Sequence, residues 1–136
     1  RGVTPGSAPS IDDGKHIEYI NINSTSNGID FGDLSAPRDM PQSAGDGHIG
    51  VIIAGYSATP PAAYQDTMDY ITIGNTGNAL DYGETHEVRG RISGHCSDGN
   101  RGMYSGGQNP GAISTMGFFK ISTFNINSMD DFKIFI

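Results

Sequence analysis

The chain says nearly the same thing twice. Residues 17–34 read IEYININSTSNGIDFGDL and residues 68–85 read MDYITIGNTGNALDYGET, aligned without a gap at an offset of 51 (17 to 68). Tyr19/Tyr70, Ile20/Ile71, Ile22/Ile73, Thr25/Thr76, Asn27/Asn78, Asp30/Asp81 and Gly32/Gly83 are identical. Ile17/Met68, Glu18/Asp69, Ile29/Leu80, Phe31/Tyr82 and Asp33/Glu84 are conservative pairs. Self-similarity at a period near fifty residues points to a propeller, prism or solenoid, because each unit buries its apolar face only against its neighbours.

A second common segment follows each block. Asp46-Gly47-His48-Ile49-Gly50 through Gly55 in one copy corresponds to Asp98-Gly99-Asn100-Arg101-Gly102 through Gly107 in the other, with one residue inserted between the blocks. The chain ends carry fragments of the same pattern. Arg1-Gly2-Val3-Thr4-Pro5-Gly6 is similar to residues 101–106. Residues 116–121, MGFFKI, with Asp131-Phe132 after them, read as a worn copy of the Tyr-Ile-Thr-Ile and Asp-Tyr blocks. This organises one domain as a partial unit over residues 1–16, whole units over 17–67 and 68–115, and a degenerate partial unit over 116–136. The two end pieces are expected to share one unit. The opening at Arg1, inside a unit, is expected of a processed product or of part of a longer protein.

The blocks read as short strands. Residues 17–22 and 68–73 are β-branched and aromatic and are bounded by polar clusters. Both of their faces carry bulk, so both are expected to be covered, as in stacked or radially packed sheets. Residues 75–78 form a turn and residues 79–83 return as a strand. Residues 49–55, the most apolar run, are assigned to an inner strand, with residues 101–107 as its less apolar counterpart. Pro-, Gly- and Ala-rich loops are expected at 57–63 and 108–112. Twenty glycines among 136 residues suit short strands and tight turns and argue against long helices.

These residues resemble the Gly-rich, kelch-like repeats in structural proteins of tailed bacteriophages, especially those of cyanobacteria and marine bacteria. Residues 69–73, Thr76-Gly77-Asn78-Ala79, Asp81-Tyr82-Gly83, and Arg101-Gly102 with Gly106-Gly107 match that pattern in one copy. Residues 18–20 and 30–34 match it again in the other. The resemblance covers most of residues 1–107. It implies an all-β fold of about fifty residues per repeat, propeller-like or a three-sheet prism, in a virion structural protein such as a tail fibre or spike. The chain departs from kelch repeats in having no Trp, in placing Ile49 where the other unit has Arg101, and in Lys133 following Phe132. Residues 133–136 then end the chain as an apolar strand that needs a pairing partner.

The net charge of −7, with eight Lys and Arg, disfavours a phosphate-binding surface, so nucleic acid is not an expected partner. No run of about 20 apolar residues suggests a membrane span. The lone Cys96 leaves no intrachain disulfide. Asp30/Asp33 and Asp81/Glu84 repeat a carboxylate pair. They read as acids that solubilise strand ends and cap turns, with a Ca²⁺ site as the functional alternative. His16, His48, His86, His95 and Cys96 have no metal-ligand spacing, and no nucleophile elbow, Walker loop or H-E-x-x-H motif is present. The repeated Tyr19/Tyr70 and Phe31/Tyr82 read as packing between sheets. Tyr56 and Tyr64, outside the repeat and flanking a Pro-rich loop, are the candidates for glycan contact.

The resulting expectation is a non-enzymatic, extracellular virion component used for assembly and host-surface contact. Its partners would be copies of itself or the rest of a parent chain, other virion proteins, and a host glycan. The alternative is a lectin-like module of a bacterial surface or secreted protein. A glycan-cleaving enzyme would need paired carboxylates in one cleft, and Asp30 and Asp81 are expected on successive sheets.

Overall fold

The structure, a computed structural model, describes residues 1–6, 14–57 and 63–121. Among these residues there are ten strands and no helix: β1 Gly2–Pro5, β2 His16–Ile20, β3 Ile29–Asp33, β4 Gln42–Gly45, β5 Ile49–Ser57, β6 Ala63–Thr72, β7 Leu80–Arg89, β8 Gly94–Ser97, β9 Arg101–Ser105 and β10 Met116–Lys120. They form three antiparallel sheets, in the orders β1-β2-β3, β4-β5-β6-β7 and β10-β9-β8.

Alternation along β5 and β6 makes the second sheet the middle layer. Ile52 and Ile71 pack with Ile17, Phe31, Leu34 and Ala79, beside Val3 and Tyr19, against the first sheet. Val51, Ile53 and Met68 point the other way and pack with Tyr104, Phe119 and Ile121 of the third-sheet region. Fully burying an Ile or Met side chain is worth about 1.5–3 kcal/mol, so these two seams dominate the cohesion of the layers. The expected covering of both faces of the 68–73 strand is met.

The sequence repeat is also a repeat of register. Gly2 lies opposite Ile20, Gly50 opposite Ile71 and Gly102 opposite Phe119. Val3 opposes Tyr19, Val51 opposes Tyr70 and Met103 opposes Phe118. Hence β1, β5 and β9 occupy one position, β2, β6 and β10 the next, β3 and β7 the last, and β4 and β8 the first. A Cβ added at Gly102 would run into the Phe119 ring, whereas at Gly50 it would stand 3.3 Å from Ile71 Cγ1 and at Gly2 3.4 Å from Ile20 Cγ1. The glycine makes room for the cross-strand side chain in proportion to its bulk. Gly102→Ala is therefore expected to cost about 1–3 kcal/mol by overpacking, and Gly2→Ala less than about 0.5, by urea denaturation.

The hairpins β4–β5 and β8–β9 turn on the same device. Asp46 Oδ1 accepts from the N–H groups of His48 (2.7 Å) and Ile49 (2.6 Å), and Asp98 Oδ1 from those of Asn100 (2.8 Å) and Arg101 (2.7 Å). Gly47 and Gly99 supply the positive φ, +92° and +87°, that closes each turn. The N–H of Ile49 holds the Asp46 carboxyl below its ordinary range, and the N–H groups of Arg101 and then Asn100 do the same for Asp98. Folded-state values depressed in this way add stability that is present above the unfolded carboxylate pKa, about 4, and lost as pH falls through the folded values. Thermal melts from pH 6 to pH 2 are expected to show stability falling below about pH 4, with a shallower fall in Asp46→Asn.

The sheets cut across the sequence units: residues 17–67 supply most of β2 and all of β3 to the first sheet, and β4, β5 and the start of β6 to the second. In the described parts of residues 1–16 and 116–136, β1 pairs with β2 and β10 with β9. Residues 7–13, 58–62 and 122–136, including Asp131-Phe132 and the expected terminal strand at 133–136, lie outside the described residues.

Candidate functional site

The repeat continues past the blocks read from sequence, to a pair of buried arginines. Arg38, between β3 and β4, and Arg89, at the end of β7, stand at the same offset of 51 (38 to 89), and both are almost wholly shielded from solvent. Long-range matching could have found them, because the 17–68 alignment extends to them without a gap.

Arg38 Nη2 donates to Asp69 Oδ2 at 2.9 Å, and both side chains are fully buried. Its Nη1 donates to the Thr67 carbonyl at 2.9 Å. Asp69 is completed by the Ser35 N–H (2.9 Å) and hydroxyl (2.6 Å). Desolvation pulls the Arg38 pKa down and Asp69 opposes it, the balance expected of an ion pair inside a protein. The cluster ties the link between the first two sheets to β6.

Arg89 makes the matching bond, Nη1 to the Thr115 carbonyl at 3.3 Å, and a second to the Gly106 carbonyl at 2.9 Å. The position opposite Tyr104 is Gly117, where the second sheet has Asp69 opposite Ile52. A Cβ at Gly117 would collide with the Tyr104 ring, so the tyrosine occupies the room that Asp69 fills in the other copy. The negative partner comes instead from Glu87, which accepts from Arg89 Nη2 at 2.6 Å and from the Thr115 hydroxyl. That hydroxyl, then Arg89 and His86, hold the Glu87 carboxyl below its ordinary range. His86 Nδ1 lies 3.2 Å from the Tyr104 hydroxyl, and the Arg89 guanidinium sits 5.0 Å above the Tyr104 ring. Burial raises the Tyr104 hydroxyl's pKa. Arg89 Nε is buried without a hydrogen-bond partner among the described residues. The chemistry is that of a clamp: the buried Arg89 holds the carbonyls just after β9 and just before β10 while nearby groups neutralise it.

Tyr56 and Tyr64 are brought together. They are a cross-strand pair near the β5–β6 connection, both half-buried, with ring centroids 5.1 Å apart and planes inclined at 59°. Tyr64 also covers Gly90, whose added Cβ would meet Tyr64 Cδ1 at 2.7 Å. The repeated acids are not gathered. Asp30 and Asp33 lie on β3 of the first sheet, while Asp81 and Glu84 lie on β7 of the second. Asp81 Oδ1 accepts from the Gly83 N–H at 2.9 Å. Among the described residues no group of three or more His, Cys, Asp or Glu could hold a metal ion. His95 and Cys96 are exposed on β8, and His48 is exposed in the β4–β5 turn.

A cleft of about 170 Å³ opens between the first two sheets, lined among others by Arg1, Val3, Pro5, Ser43, Ile71 and Ile73. Among the described residues the first sheet has no strand at the position β4 takes in the second, and β1 borders the cleft there. Arg1 crosses this seam: its Nη1 donates to the carbonyls of Ile73 (3.2 Å) and Gly74 (2.9 Å), and its guanidinium lies 4.6 Å over the Tyr19 ring.

Compared with known proteins, the chain matches no family model and no curated protein.

Proposed function

We propose that the chain is a non-enzymatic virion component, a kelch-like β-repeat domain of a tail fibre, spike or external appendage. It works in assembly and in contact with a host-surface glycan. The observation that carries this reading is one cross-strand register recurring in three sheets. Such a recurrence supports a stackable scaffold, propeller-like or prism-like, of the kind the sequence resembles. The arginine clamps support the non-enzymatic side, because the ionisable groups around Arg38 and Arg89 are turned onto buried guanidiniums. Immuno-electron microscopy of purified particles is expected to label the tail or an external appendage; unlabelled particles would contradict the reading.

The Tyr56–Tyr64 pair favours a second reading, a lectin-like module of a bacterial surface or secreted protein, since paired aromatic faces can stack on a sugar. On a glycan array, Tyr56→Ala is expected to lower binding about tenfold under either reading, at a stability cost under about 2 kcal/mol. Cleavage of a polysaccharide, abolished by Asp30→Asn or Asp81→Asn, would overturn both.

A further inference from the structure

The two outer faces of the stack are the two halves of an interface that the chain already makes twice. In the seam between the first and second sheets, Val3, Ile17 and Tyr19 on one side meet Ile52, Ile71 and Ile73 on the other. In the seam between the second and third sheets, the same positions are Val51, Met68 and Tyr70 against Tyr104, Phe119 and Ile121. The registers make these sets equivalent residue by residue. Carried one step further, the first-named set falls on Met103, Met116 and Phe118, on the outward face of the third sheet. The second-named set falls on Thr4, Ile20 and Ile22, on the outward face of the first.

Large apolar side chains remain exposed on both faces: Met103 by 38% and Met116 by 46% at one end, Ile20 by 44% and Ile22 by 73% at the other. Exposed apolar patches of this kind mark interaction surfaces. Arg101 repeats Arg1 in position, and its side chain is 65% exposed, 3.9 Å from Asp98. Arg1 spans its seam to the carbonyls of Ile73 and Gly74, which correspond to Ile22 and Asn23 at the far end of the molecule.

We propose that the partner is a second copy of this chain, bound head to tail, with its first sheet seated on the third sheet of its neighbour. Ile20 and Ile22 of one copy pack against Met103 and Met116 of the next, and Arg101 reaches the Ile22 and Asn23 carbonyls across the joint. The contact is heterologous, so it closes into a ring or propagates. Two copies bring six sheets together, within the range of about four to eight of closed propellers. This deepens the assembly half of the proposed function, but its test does not depend on where the protein resides.

Sedimentation velocity of the full chain tests the proposal. The wild type is expected to sediment as two or more copies. Ile20→Glu and Met103→Glu, both at exposed positions and each checked by circular dichroism, are expected to be monomeric. Mixed one to one, the two variants retain one intact pair of faces and are expected to form a heterodimer. Arg101→Ala is expected to weaken association about tenfold. A monomeric wild type, a single variant as associated as the wild type, or a mixture that stays monomeric would overturn the proposal. In each of those cases particle labelling would still decide the proposed function.

Discussion

Asp69→Ala is expected to destabilise the protein by about 3–5 kcal/mol, because it leaves Arg38 charged, buried and without its counter-ion. The Ser35 N–H and hydroxyl lose their acceptor in the same substitution. Replacing both members, as in Arg38→Met with Asp69→Leu, is expected to recover much of that loss, since two apolar side chains avoid the desolvation of two charges. Urea denaturation of the single and double variants reads the coupling directly. A loss below about 1 kcal/mol for Asp69→Ala would mean that water reaches the pair. The third sheet holds a built-in comparison, with Gly117 and Tyr104 in place of Asp69 and Ile52. There Gly117→Asp alone is expected to destabilise, because its side chain would meet the Tyr104 ring, and Tyr104→Ile is expected to relieve part of the cost.

Gly32→Ala is the second large effect, expected at about 4 kcal/mol from backbone strain and overpacking together. Gly32 has φ +143°, and a Cβ there would overlap the backbone carbonyl of Gly77. That close approach lets the Gly77 N–H donate to the Phe31 carbonyl at 2.6 Å and the Ala79 N–H to the Asp33 carbonyl at 2.8 Å. The turn before β7 therefore covers the β3 edge of the first sheet, a polar edge that would otherwise be open. Gly83, its repeat equivalent, has φ +132° but no described atom within 4 Å of an added Cβ. Gly83→Ala is expected to cost the backbone strain alone, about 1–3 kcal/mol. Equal losses at the two positions would show that the contact with Gly77 contributes nothing.

Much of this architecture was legible because the strands at the second and third positions carry alternating β-branched and aromatic residues. Ile17, Tyr19, Met68, Tyr70 and Phe119 announce both a strand and the side it buries. The first-position strands were not legible. Gln42–Gly45 and Gly94–Ser97 are small and polar, and are strands because their neighbours pair with them. The frame of the sheets was likewise hidden, since a repeat can be cut anywhere in sequence while hydrogen bonds cut it in one place. The offset of 51 pairs Arg38 with Arg89 in the sequence, but arginine in a polar stretch reads as solvated surface, and burial is what makes each a clamp. The partner change from Asp69 to Glu87 was unreadable for a further reason: Gly117 and Tyr104 compensate each other from different strands. Of the site candidates, Tyr56 and Tyr64 come together across one hairpin, a pairing that depends on the register of β5 with β6.

One register repeats in three sheets, and backbone nuclear Overhauser effects measure it directly. Cross-strand contacts are expected between Gly2 and Ile20, between Gly50 and Ile71, and between Gly102 and Phe119. Finding residues 2–5 paired instead with any part of residues 116–136 would contradict it.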